Sequence, residues 1–221
     1  MLSAETIVKR VSDRNNKGSH RGNGVLEKRA FVAEIRAAGE DEDKKVSGLG
    51  IIYDKWTELW PGYKERINKG AVQLAGEVKS YFNHDPSMVL STINSTPPLE
   101  LKDTDKGMEY SSPIPPTSYG KDLEVNLERQ NVKGSSFAFD VEEQKRWDDD
   151  NGVHHREIKK LILYEIGPVT DPAFVQTTAS LNSAQEAVRE WRAKQKPPEP
   201  PAPISRNVRE RKQKLIESMI Y

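Results

Sequence analysis

The chain has 221 residues, 31% of them charged, with 34 Lys and Arg balanced by 34 Asp and Glu, and it has no cysteine. That length holds one ordinary domain plus tails, and the balanced charge argues against a globally basic nucleic-acid binder. Without cysteine, disulfide scaffolds, thiolate zinc sites and cysteine nucleophiles are excluded. Residues 1–29 carry seven bases against three acids, and residues 205–221 five against two. The segment from Asn15 to Gly24 has almost no apolar residue, so residues 1–28 read as a disordered basic tail. Solvated tails and contact with an acidic partner both fit such ends. The first ten residues contain no apolar signal core, so export through one is not expected and a reducing cytoplasm is. No apolar run approaches the ~20 residues of a membrane span.

The body is predicted at residues 29–181. Residues 30–37 and 46–53 are apolar-rich and flank a charged turn at 39–45, the pattern of a β-hairpin. A turn follows at Pro61-Gly62, and then a short helix or loop over 63–75. Residues 77–82 and 88–93 read as strands around Asn83-His84-Asp85-Pro86. A second hairpin turns at 103–107. Thr117 is placed to cap a helix running to about Asn131, with Tyr119, Leu123 and Leu127 at four-residue spacing. Residues 135–141 alternate as a strand, and residues 156–166 form a longer apolar one. Many short strands and few helices predict a mainly β (α+β) fold, a barrel or sandwich. Ser183 and Glu186 form a capping box that opens an amphipathic helix over 182–195. Its apolar stripe is Ala184, Ala187, Val188 and Trp191. A Pro-rich linker (196–204) and a basic helical tail (205–221) complete the layout.

Four histidines are available for chemistry: His20, His84, His154 and His155. Combining His84, Asp85, His154 and His155 with Asp148, Asp149 and Asp150 would make a metal site, but no HxH or HxxxH spacing supports it. No cofactor is expected. His84 ends an apolar strand and precedes Asp85-Pro86, which places its ring at a strand end. Seen locally, it is equally a turn histidine bonded to Asp85. In Gly134-Ser135-Ser136-Phe137-Ala138-Phe139, the two Phe and Ser135 share one face, and Ser136 and Ala138 the other. Ser136 is therefore an ordinary strand serine or, with a base to take its proton, a nucleophile. Glu165 sits in the apolar strand Leu161–Val169, where it either points to solvent or needs a partner.

The order of these elements carries a resemblance. Asn83-His84-Asp85, then Gly134–Phe139, then Glu165-Ile166-Gly167-Pro168-Val169-Thr170-Asp171-Pro172-Ala173 resembles the prohead (capsid maturation) serine proteases of tailed phages. Ser47–Tyr53, Glu65–Ala71, Asp105–Met108 and Arg156–Ile158 extend it over residues 29–181. The resemblance implies an antiparallel β-barrel with peripheral helices, similar to herpesvirus assemblins. It implies Ser136 as nucleophile, His84 as general base and Glu165 as the acid that orients His84, with Glu157 as the substitute third member. Two departures stand out. Ala138 replaces a frequent glycine, and Gly167-Pro168 is expected to end the strand early. The implied partners are the major capsid protein and a scaffold, with self-association, and the implied place is the immature capsid in the host cytoplasm. Cleavage of these partners and of the chain itself is the expected activity. The rival is a non-catalytic capsid assembly or scaffolding protein. A nucleic-acid binder using the basic ends is the third reading, and neither nucleic acid nor membrane is an expected partner.

Overall fold

The computed structural model describes residues 26–32, 35–38, 44–172 and 178–195. The Pro-rich linker and the basic C-terminal segment lie outside the described residues, as does most of the basic N-terminal stretch. The chain divides into two units, residues 1–177 and 178–221.

The first unit contains eleven described strands and one helix. They are β1 (Glu27–Val32), β2 (Ile35–Ala38), β3 (Lys45–Ile52), β4 (Thr57–Trp60), β5 (Tyr63–Ile67), β6 (Val72–Tyr81), β7 (Val89–Thr92), β8 (Glu100–Asp103), β9 (Gly107–Pro113), α1 (Ser118–Glu128), β10 (Gly134–Asp148) and β11 (His154–Val169). A seven-stranded sheet runs β1-β10-β11-β5-β4, with β6 also on β11 and β7 on β6; a four-stranded sheet runs β2-β3-β9-β8. Among the described residues both sheets have open edges, so the expected closed barrel does not form. The larger sheet is also not purely antiparallel. One side of β11 pairs antiparallel with β10, and the other pairs parallel with β5 along 154–158 and with β6 along 161–165. The break between β5 and β6 is stitched to β11 by Asn68 N–H to the Ile158 carbonyl and Leu161 N–H to the Ala71 carbonyl, 3.0 and 2.9 Å.

Several elements depart from the sequence reading. The single strand expected over 30–37 is two strands in two sheets: β1 pairs with β10, and β2 with β3. β1 begins at Glu27, inside the stretch assigned to the tail. Residues 63–75 form β5 and the start of β6 instead of a helix or loop. Tyr63, Glu65 and Ile67 alternate inward there, a period of two that the charges of Lys64, Glu65 and Arg66 disguise. Thr117 does cap α1, its hydroxyl accepting from Gly120 N–H at 3.2 Å.

The faces that meet between the sheets are apolar. Ile51, Met108 and Tyr110 of the small sheet join Phe137, Phe139, Ile158, Leu161, Leu163 and Ile166 of the large one in a single core. Each such side chain stabilises the fold by ~1.5–3 kcal/mol on burial. Leu123 of α1 lies in a second cluster with Val46, Phe82, Leu90, Ile114 and Val132.

The second unit contains the helix α2 (Thr178–Gln195). It starts before Ser183, so the Ser183/Glu186 box lies inside the helix and does not open it. No described helix is long and apolar enough to cross a membrane.

Candidate active site

Three neighbouring segments of the large sheet converge on one point. β10 supplies Ser136 and β11 supplies Glu165. The chain leaving β6 turns at Asn83 and supplies His84. Ser136 pairs with Gly167, and Ala138 with Glu165, across the β10–β11 ladder. Residues paired in this way share a face, so Ser136 and Glu165 project to the same side. Because β6 runs parallel to β11, with Lys79 opposite Glu165, its continuation delivers His84 alongside β11.

The result is a hydrogen-bonded chain of three groups. His84 Nδ1 lies 2.6 Å from Glu165 Oε1. The other ring nitrogen, Nε2, is hydrogen-bonded to Ser136 Oγ. Ser136 and Glu165 are both buried. With Glu165 ionised, the proton between them sits on Nδ1, which leaves the Nε2 lone pair facing the hydroxyl. Asp85 does not hold His84; its carboxylate accepts from Ser87 N–H and Oγ, at 2.8 and 2.6 Å. Glu157 is remote from this point, hydrogen-bonded to Arg66 Nε at 3.1 Å. That hydrogen bond holds its carboxyl below the usual carboxylate range against a smaller opposing effect of burial. His154 and His155 pair with Asp148 and Asp149 at 2.7 and 3.1 Å.

The Gly167-Pro168 departure helps build the site. β11 continues through both residues to Val169. The N and C=O of a strand residue point to the same side, and the Pro168 carbonyl accepts from Asn83 N–H at 3.1 Å. The missing proline N–H therefore faces the His84 turn and is not needed by the ladder with β10. At Gly167, a Cβ would stand 2.4 Å from the Tyr81 carbonyl. Only glycine lets the segment leading to His84 lie this close to β11. A glycine inside an apolar strand is the sequence signal for such an approach, and the early strand end expected at Gly167-Pro168 does not occur. Ala138 is buried opposite Glu165.

A fourth contact was not foreseen. Ser136 Oγ donates to the Arg29 carbonyl of β1 at 2.9 Å, and the Ser136 residue is only 1% exposed. β1 is held in that register by a cluster of charges. Arg29 grips Glu65 through Nε and Nη2 at 2.7 and 2.9 Å. Arg156 grips Glu27 at 2.6 and 2.7 Å and reaches Glu65 at 3.0 Å. Burial alone would raise the Glu27 pKa; the hydrogen bond and charge of Arg156, with Arg29, overcome it and hold the carboxyl down to about 2.

No curated protein matches the chain. Among solved structures, it is similar to the capsid assembly protease gp21 of bacteriophage T4, with a TM-score of 0.41 and 11% sequence identity, over 65% of this chain and 96% of that one. Residues 32–190, which contain His84, Ser136 and Glu165, match the caudovirus prohead serine protease family. A match of that extent means that the chain belongs to this family.

Proposed function

We propose that the chain is a serine endopeptidase of capsid maturation, with Ser136 as nucleophile, His84 as general base and Glu165 as the group that orients His84. The observation that carries this reading is the continuous chain Glu165–His84–Ser136, in which each ring nitrogen has its own partner. Ser136 Oγ attacks the peptide carbonyl carbon while its proton passes to His84 Nε2. The tetrahedral intermediate collapses as the C–N bond breaks, and the same proton goes to the leaving amine. Water, deprotonated by His84, then hydrolyses the acyl-enzyme and returns the hydroxyl to Ser136. Glu165 stabilises the imidazolium in both halves. Family membership supports the major capsid protein and the scaffold as substrates, inside the immature capsid in the host cytoplasm. The Pro-rich sequence from Lys196 to Pro203 is the proposed place of self-removal of the tail.

Burial of Ser136 favours a second reading, a capsid assembly protein that keeps the fold without turnover. Intact mass over time separates the two, for the parent chain and Ser136→Ala, alone and with the cognate capsid protein and scaffold. Defined fragments from the parent only are expected, with a loss of roughly 10⁴-fold or more in Ser136→Ala. No parent-specific cleavage of any of the three proteins would favour the assembly role.

A further inference from the structure

We infer that Asn83 is a positioning residue, whose side-chain carbonyl clips the turn bearing His84 to the end of β11. The inference rests on the reading of His84, Ser136 and Glu165 as a catalytic triad. Asn83 Oδ1 accepts from Thr170 N–H at 2.9 Å and from Thr170 Oγ1 at 3.2 Å. Its own N–H donates to the Pro168 carbonyl at 3.1 Å. One residue thus grips β11's end at two places, just beyond Glu165 and Gly167 on the same strand.

The turn needs this grip because of its backbone. Asn83 and His84 are consecutive non-glycine residues with positive φ, 55° and 60°. That left-handed conformation is uncommon for side chains other than Asn, Asp and His, and it persists only where surrounding structure over-determines it. No ladder bond holds His84 itself, since β6 ends at Tyr81. Beyond the triad, Asp85 is committed to Ser87. The side chain of Asn83 adds a second anchor beside its own N–H, tying the turn to the end of the strand of Glu165. Ring and carboxylate are then set by one short rigid path, and displacing a reacting group by ~1 Å costs on the order of 100-fold in rate.

Asn83 is exposed, so replacing it opens no cavity. Asn83→Gly keeps the left-handed backbone accessible but removes the acceptor; Asn83→Asp keeps both. The full chain and these variants, with Ser136→Ala as control, are compared in two ways. The first is the rate of labelling by a fluorophosphonate serine probe across pH. The second is the downfield proton resonance of the hydrogen bond between His84 and Glu165. The clip predicts that Asn83→Gly labels about tenfold or more slowly and loses or broadens the resonance, with its unfolding midpoint unchanged. Asn83→Asp restores both readouts. Asn83→Gly with parental labelling and an intact resonance would overturn the inference. If parent and Ser136→Ala label alike, the triad reading fails instead, and the resonance alone decides whether Asn83 sets the His84–Glu165 pair.

Discussion

Two polar clusters lie in the same sheet, and they are built on opposite plans. The Glu27–Arg29–Glu65–Arg156 cluster matches two carboxylates with two guanidiniums, each carboxylate bridging both cations. Each of the four charges there is answered by another. The Ser136–His84–Glu165 cluster has one carboxylate, one imidazole and one hydroxyl in series, and its histidine carries a left-handed backbone. A closed, self-neutralising set holds strands in register. An open series, ending in a hydroxyl whose proton has two acceptors, is the arrangement that the proposed proton transfer needs.

The comparison breaks most sharply if the two clusters exchange roles on mutation. Glu165→Gln keeps the shape of the carboxylate but removes the charge proposed to stabilise the His84 imidazolium. A fall of about 10²–10⁴-fold in peptidase or probe-labelling rate is expected, with little change in the urea midpoint. Retained activity would remove Glu165 from the proposed role. Arg156→Leu should do the reverse. It leaves the carboxylates of Glu27 and Glu65 to share the single guanidinium of Arg29 and should cost about 3–5 kcal/mol of stability, read in urea denaturation, while the molecules that remain folded still react with the probe.

A subtler test uses acid. Glu27 titrates lower folded than unfolded, from 4.5 to about 2. Its ionised form therefore stabilises the fold above the unfolded pKa, and that contribution fades as pH falls through the window from about 5 to 2. The difference is worth at most about 3 kcal/mol. Stability against pH in the parent should fall more steeply over that window than in Glu27→Gln. Parallel curves would show that Glu27 is not held as described.

The site was more legible than the frame that holds it. His84, Ser136 and Glu165 stood out because each is a reactive or costly residue type at a strand end or in an apolar run, and their order matched a family. The frame depends on pairings far apart in sequence. Nothing local in residues 72–81 says that β6 runs parallel to β11. The run over 30–37 has one apolar pattern but serves two sheets. Glu65 and Arg156 each stood inside a family-like segment, yet their ion pair spans 91 positions. Pro168 was misjudged because a proline's cost depends on which side its missing N–H faces, and that side is settled only once the neighbours are in place.

The same long-range construction bears on synthesis. The hydrogen bond from Ser136 reaches back 107 residues to β1, while Glu165 and Gly167 lie on β11, the last strand of the sheet in chain order. A nascent chain that has just released Ser136 still lacks the strand that orients His84. At ribosomal speeds of about 5–20 residues per second, the gap between the two is on the order of seconds. An unfinished chain thus carries Ser136 before the Glu165–His84 hydrogen bond can form, so the proposed peptidase activity would begin only once β11 is in place.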